Sequence, residues 1–230
     1  MAEDWVFAPP ERPSIAVEGS SARFPVRRVF CVGRNYAEHA REMGGDPGRE
    51  PPFVFMKPPD AAFDAALGVP YPPDTVDLHH EIELVVALGQ GGVDVAPTRA
   101  LDLVFGYAAG VDLTRRDQQA RAKAAGRPWD WAKGFDRSAP MSPIRPVART
   151  GHPATGRIRL SVNGAVRQDG DLAAMIWSVP ELIAFVSRSM ELRPGDLVMT
   201  GTPAGVGPLM RGDRVEGGIE GVGDLHFAVT

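Results

Sequence analysis

The sequence predicts an α+β fold, and three observations lead to it. Glycine (26) and proline (22) together make up about a fifth of the 230 residues, a share that suits short strands joined by turns better than a helical bundle. The long apolar runs, such as residues 84–88, are strand-length. No regular alternation of strand and helix marks βαβ units, which sets the chain apart from doubly wound parallel sheets.

Composition narrows the classes further. With 43% hydrophobic residues the chain can bury a substantial core, and 230 residues fit one large domain. The expected division is an N-terminal arm over residues 1–25 and a catalytic domain over residues 26–230. Net charge is −4 and basic residues are scattered, so no bulk positive field draws the chain to nucleic acid or anionic lipid. Cys31 is the only cysteine, so no intrachain disulfide can form and a reducing compartment is expected. The acidic start and the lack of any apolar run near the roughly 18 residues of a membrane span argue against a secretory signal or a membrane anchor. The expectation is a soluble, cytoplasmic protein.

In chain order, Pro9-Pro10, Pro13 and Pro25 suggest an extended arm or small hairpin. Residues 29–32 read as a short buried strand. Asn35 is placed to cap a helix from about Tyr36 to Met43, closed by Gly44-Gly45. Residues 46–52 are polar and rich in Gly and Pro, and suggest a mobile loop that orders on ligand binding. Strands are expected at 53–56, 82–88 and 104–111. Thr114 is placed to cap a helix running to about Ala125, ended by Gly126. Residues 157–162 form a strand turned by Asn163-Gly164, a strong hairpin signal. Ser178 and Pro180 open a helix to about Met190, with Leu182, Ile183 and Val186 on one face. A strand at 197–200 enters a glycine-rich loop, residues 201–207, and short strands at 213–215 and 225–229 end the chain.

The sharpest chemical signal is His79-His80-Glu81-Ile82-Glu83-Leu84. Glu81 and Glu83 are two apart at the start of a strand, so both carboxylates share one face while Ile82 and Leu84 take the other. Like charges this close repel unless a cation lies between them, and a hard divalent ion resolves the conflict. Asp112 ends the next apolar strand and is a third oxygen ligand if the two strands run side by side. Three carboxylates suit Mg²⁺ or Mn²⁺. A solvated strand edge would give the same local pattern. Adjacent His79 and His80 point to opposite faces and suit a shared Zn²⁺ poorly.

Three weaker groups accompany it. His39 and Glu42 are i, i+3 on a helix, the spacing at which a carboxylate orients an imidazole to take a proton from water; a surface ion pair has the same spacing. Arg116 and Gln119 share a helix face, and Lys133 lies in a semi-apolar setting, a set suited to a substrate carboxylate or to a solvated basic face. The loop Thr200-Gly201-Thr202-Pro203-Ala204-Gly205-Val206-Gly207 allows close backbone approach to an anion but is neither a P-loop nor a dinucleotide fingerprint.

Taken in order, six stretches resemble the fumarylacetoacetate hydrolase superfamily. They are Cys31-Val32-Gly33-Arg34-Asn35-Tyr36-Ala37-Glu38-His39, Lys57-Pro58, residues 79–83, Gly110-Val111-Asp112-Leu113-Thr114-Arg115-Arg116-Asp117, residues 131–135 and residues 200–207. The resemblance implies a layered β-roll with flanking helices, usually a homodimer. It implies that Glu81, Glu83 and Asp112 hold Mg²⁺ or Mn²⁺, that His39 and Glu42 activate water, and that Lys133 is the active-site lysine. Arg34, Arg116, Gln119 and Thr202 match substrate-contacting positions. Gly134 departs from relatives that carry Ser there.

Within the superfamily the chain is similar to small members acting on 2-oxo acids, most of all to fumarylpyruvate hydrolases of gentisate breakdown, an aromatic catabolism. The implied reaction is hydrolysis of the C–C bond of an acylpyruvate. Oxaloacetate decarboxylation, isomerisation of an unsaturated oxo-diacid, and a non-catalytic homologue are the alternatives.

Overall fold

The computed structural model describes residues 5–42 and 50–230, apart from the side chains of Ala40 and Glu42. Most of the loop expected over residues 46–52 therefore lies outside the described residues. The chain runs β1 (Ser14–Ala16), β2 (Arg23–Pro25), β3 (Arg28–Gly33), α1 (Ala37–Glu42), β4 (Phe53–Lys57), β5 (Ala62–Asp64), β6 (Leu78–His80) and β7 (Ile82–Leu88). It continues through α2 (Pro97–Ala100), β8 (Val104–Val111), β9 (Thr114–Arg115), α3 (Arg116–Ala124), α4 (Asp130–Lys133), β10 (Ala139–Met141), β11 (Arg145–Pro146) and α5 (Val147–Thr150). The remainder is β12 (Arg157–Val162), β13 (Ala165–Asp171), α6 (Val179–Ser189), β14 (Asp196–Met199), β15 (Gly207–Leu209), β16 (Arg214–Ile219) and β17 (Gly223–Ala228).

The main sheet is mixed and curls into a half-barrel in the order β4-β3-β14-β7-β8-β10-β5, with β11 on the side of β8. A four-stranded antiparallel sheet, β13-β12-β16-β17, packs against one of its faces. Alternation on the central strand explains the layering. Ile82, Leu84, Val86 and Leu88 enter the core shared with Ile158, Leu160, Val215 and Phe227, while Val85 and Ala87 enter a second cluster with Ile15, Phe24, Cys31 and Met199. Each large aliphatic side chain so buried stabilises the fold by about 1.5–3 kcal/mol. The hairpin β1-β2 supplies Ile15 and Phe24 to that second cluster, so residues 14–25 cover the sheet face.

Local signals account for several elements. Asn163 and Gly164 turn β12 into β13 at φ of 52° and 79°, the two positive values that a tight hairpin turn requires. The α6 helix opens with the Glu181 carboxylate accepting from the Ser178 N–H at 2.9 Å, and buries Leu182, Ile183 and Val186. Two expectations need correcting. Thr114 does not cap a helix but lies in β9, paired with β6, because its neighbours complete a three-stranded sheet, and α3 starts two residues later. Asn35, expected as a cap, is fully buried: its amide donates to the carbonyls of Trp177 and Thr200, and its Oδ1 accepts from the Trp177 N–H at 2.7 Å. That carboxamide ties the start of α1 to two other segments. Among the described residues, no helix is long and apolar enough to cross a membrane.

Candidate metal centre and active site

Strands β7 and β8 are antiparallel neighbours with Ile82 opposite Val111. That register places Asp112, one residue past β8, against Glu81, one residue before β7, and the Asp112 N–H donates to the Glu81 carbonyl at 2.8 Å. Glu83 follows on the same face as Glu81. One carboxylate oxygen from each of Glu81, Glu83 and Asp112 lies within 4.8 Å of the others, and all three residues are buried. The reading of a solvated strand edge is thereby set aside. His79 and His80 stand apart from the triad: His79 Nε2 lies 2.9 Å from Asp77, and His80 Nδ1 lies 3.0 Å from the Gln168 side-chain oxygen.

Two buried lysines and an arginine face these carboxylates. Lys133, carried by α4, donates to Glu81 Oε2 and Asp112 Oδ2, each at 2.8 Å. Lys57, at the end of β4, lies 2.8 Å from Asp112 Oδ1 and also donates to the carbonyls of Leu113 and Lys133. Arg116, the first residue of α3, donates to Glu81 Oε1 and to Gln119 Oε1, both at 2.6 Å.

The carboxylates differ in their electrostatics. Burial works to raise the pKa of Glu81, yet the charges of Lys133 and Arg116 hold it well below the usual carboxylate range. Glu83 is pushed up, first by burial and then by Asp112 and Glu81. Its opposing contacts are the Lys133 charge and the Gly201 N–H, which donates to Glu83 Oε2 at 2.8 Å. Burial alone would lower Lys133, but Asp112 and Glu81 outweigh it and raise its pKa, so Lys133 is a fixed cation. Among the described residues, Glu83 makes no ion pair of the kind that Glu81 and Asp112 make, which is the deficit a divalent ion removes.

The glycine-rich loop closes another side. Gly201 sits at φ +96°, and a Cβ there would come within 2.8 Å of Asn35, so glycine is required where the chain passes the site. Thr202 is held by donating to the Ile82 carbonyl at 2.7 Å and accepting from the Gln168 amide at 2.7 Å. Gln168 also accepts from the Ile82 N–H at 3.0 Å, so one buried amide fixes both the loop and the start of β7.

A cleft opens over the triad, lined also by Arg34, His39, Arg116, Gln119, Lys133 and Thr202. Every site residue expected from the sequence except Glu42 therefore meets in one place; the Glu42 side chain lies outside the described residues. Local pattern did not assign a role to Lys57 or Gln168. A lysine before a proline and a glutamine in a hairpin strand look like surface residues until the sheet is assembled around them.

The pairing of Lys57 with Asp112 carries a prediction. Lys57→Met leaves the buried Asp112 Oδ1 without its cation and the Leu113 carbonyl without its donor, so the metal-free protein should lose about 3–5 kcal/mol. Removal of a cation also favours the binding of another, so added Mg²⁺ should raise Tm more in the variant than in the wild type. Thermal melts in chelator and in Mg²⁺ check this; equal losses in both conditions would assign Lys57 to packing alone.

The half-barrel and its buried three-carboxylate centre define a protein built to hold a hard divalent cation at the floor of a cationic cleft. The family model described as fumarylacetoacetate (FAA) hydrolase C-terminal matches residues 28–230, and the chain belongs to this family. It is similar to the fumarylpyruvate hydrolase of Pseudomonas aeruginosa, solved in complex with Mn²⁺ and pyruvate, at 52% identity with 99% of each chain covered and a TM-score of 0.97. A Burkholderia cenocepacia protein provisionally described as a fumarylpyruvate hydrolase is 61% identical, with 99% of this chain and 98% of that one covered and a TM-score of 0.93. A mitochondrial oxaloacetate tautomerase of Mus musculus is 42% identical over 203 residues, which is 88% of this chain and 91% of the relative.

Proposed function

We propose that the chain is a divalent-metal-dependent hydrolase that cleaves the C–C bond of an acylpyruvate, with fumarylpyruvate as substrate and fumarate and pyruvate as products. The observation that carries this reading is the buried triad Glu81, Glu83 and Asp112, in a fold that superposes on the Mn²⁺- and pyruvate-containing fumarylpyruvate hydrolase with a TM-score of 0.97. The donors fit Mg²⁺ or Mn²⁺: all are hard carboxylate oxygens, and the raised pKa of Glu83 marks a place where negative charge is short of a partner. When bound, the cation supplies Lewis-acid stabilisation of oxygen charge that develops during the reaction.

The chain's own residues do the rest. His39 accepts a proton from water, with Glu42 assigned to orient its imidazole. The hydroxide attacks the acyl carbonyl carbon, and the bond from that carbon to the pyruvyl methylene breaks. The electron pair leaves as pyruvate enolate, which then takes a proton at carbon to give pyruvate. Lys133 remains charged throughout and faces the enolate oxygen as negative charge builds. Gln119, whose side-chain oxygen is held by Arg116, presents its amide to the substrate carboxylate, and Arg34 and Thr202 complete the contacts.

The tautomerase relative supports a second reading, in which the same cationic floor promotes keto–enol exchange of oxaloacetate without an attacking water. We rank that reading second, and the relative's lower identity to this chain, 42% against 52% and 61%, supports the ranking. Fumarylpyruvate, acetylpyruvate and oxaloacetate should be assayed side by side after dialysis against chelator, then with Mg²⁺ or Mn²⁺ restored. Acylpyruvate cleavage that returns only with metal is expected; full activity in excess chelator would sink the three-carboxylate centre.

A further inference from the structure

The cleft has a second end, away from the carboxylates, where Arg34, Phe55, Lys123 and Trp129 line it. A run of contacts leads there from the triad. Lys133 Nζ lies 5.1 Å from the centre of the Phe55 ring, the Phe55 and Trp129 rings are 5.9 Å apart, and Lys123 Nζ lies 5.3 Å from the Trp129 ring. Helix α3 gives the same order. Arg116, Gln119 and Lys123 fall at i, i+3 and i+7 on one helical face. Arg116 holds Glu81, and Lys123 lies about 10 Å farther along the axis.

This outer end carries positive charge from Arg34 and Lys123. Among the described residues, neither Arg34 nor Lys123 has a carboxylate within ion-pairing distance. Burial and the neighbouring Arg116 and Arg34 all push the Lys123 pKa down, as expected of a cation crowded by like charges. Arg34 stands at φ +61°, a left-handed conformation uncommon outside glycine and asparagine and costly unless the surroundings fix it. Lys123 over the Trp129 ring, with Arg34 lining the same end of the cleft and close enough to act on its charge, forms a seat for an anion that arrives with the ligand.

Resting on the hydrolase reading above, we infer that Lys123 and Arg34 bind a second carboxylate at the acyl end of the substrate. The site then takes dicarboxylates, namely acylpyruvates whose acyl group itself ends in a carboxylate. Phe55 and Trp129 pack against the planar linker between the two ends. Acylpyruvates with a neutral acyl end fill the floor of the cleft but leave this seat empty.

The test uses the Mg²⁺-loaded full chain and two probes of equal length, 2-oxoadipate and 2-oxohexanoate, which differ only in the distal carboxylate and lack the bond this reaction cleaves. By calorimetry the wild type should bind 2-oxoadipate about tenfold more tightly or better, the scale of one charge-assisted hydrogen bond. Lys123→Met should erase most of that ratio, and Lys123→Arg should retain it. In kinetics, Lys123→Met should raise KM for fumarylpyruvate about tenfold more than for acetylpyruvate. Equal wild-type affinity for the two probes, or an equal loss on both in Lys123→Met, would overturn the inference. A wild type that prefers 2-oxoadipate yet cleaves neither acylpyruvate would overturn the hydrolase reading and leave the carboxylate seat standing.

Discussion

Glu83→Gln should abolish metal binding and lower acylpyruvate hydrolysis by about 10³-fold or more, since Lewis-acid stabilisation at such a centre is worth several kcal/mol. The substitution replaces one of three anionic ligands by a neutral amide of the same shape, so a calorimetric Mn²⁺ titration should lose its heat signal. The metal-free variant should nevertheless be as stable as the wild type, because burial and the charges of Asp112 and Glu81 already push Glu83 toward its protonated form. The pH dependence follows with a definite sign. A carboxyl whose pKa is raised on folding from its ordinary 4.5 keeps its proton in the folded chain after the unfolded chain has released it. Its contribution to stability is therefore fullest below the unfolded value and is lost as pH rises through the folded one. Metal-free wild type should lose stability across that window, and Glu83→Gln should lack this loss. Metal binding requires the deprotonated form, so Mn²⁺ affinity should rise with pH in the wild type. A variant that still binds Mn²⁺ normally would remove Glu83 from the centre.

His39→Ala should reduce acylpyruvate hydrolysis by about 10²–10⁴-fold, the usual worth of a general base, while leaving much of any oxaloacetate decarboxylation. Only the hydrolysis needs an activated water; in the proposed reading both reactions develop enolate charge at the floor, beside Lys133 and the carboxylates that would hold the cation. His39 is buried, lines the cleft and lies within electrostatic reach of Glu81, a position suited to this task. Thermal melts with and without Mg²⁺ should first establish that the variant folds and binds metal. Unchanged hydrolysis in a folded variant would refute the water-activation role. A proportional loss of both reactions would assign His39 to placing the substrate.

Much of the site was legible because its signals are local. The spacing of Glu81 and Glu83 puts two carboxylates on one face of a strand through the pleat alone. Asn163-Gly164 and Ser178 with Glu181 encode a hairpin turn and a helix start within four residues. The expectation at Thr114 failed for the same reason that these succeeded. A threonine before a helix is a good cap by local rules, but β6 lay ready to pair with it, and sheet pairing is decided by residues some 35 positions away.

By itself the sequence determined the α+β class, the long central strands such as β7 and β8, the paired glutamates and, through six ordered stretches, the family. Only the tertiary structure decided that Asp112 completes the centre, because that depends on the register of β7 on β8. It also decided which cations balance the charge. Lys57 and Lys133 come from strand and helix ends widely separated in the chain, and they meet at Asp112 because a buried carboxylate must find a partner once water is excluded. Lys123 became informative only when α3 was seen to run from the triad to the outer end of the cleft. The physical reason is common to all three: pleat and helix period are set by neighbouring residues, whereas burial and charge pairing are properties of the assembled chain.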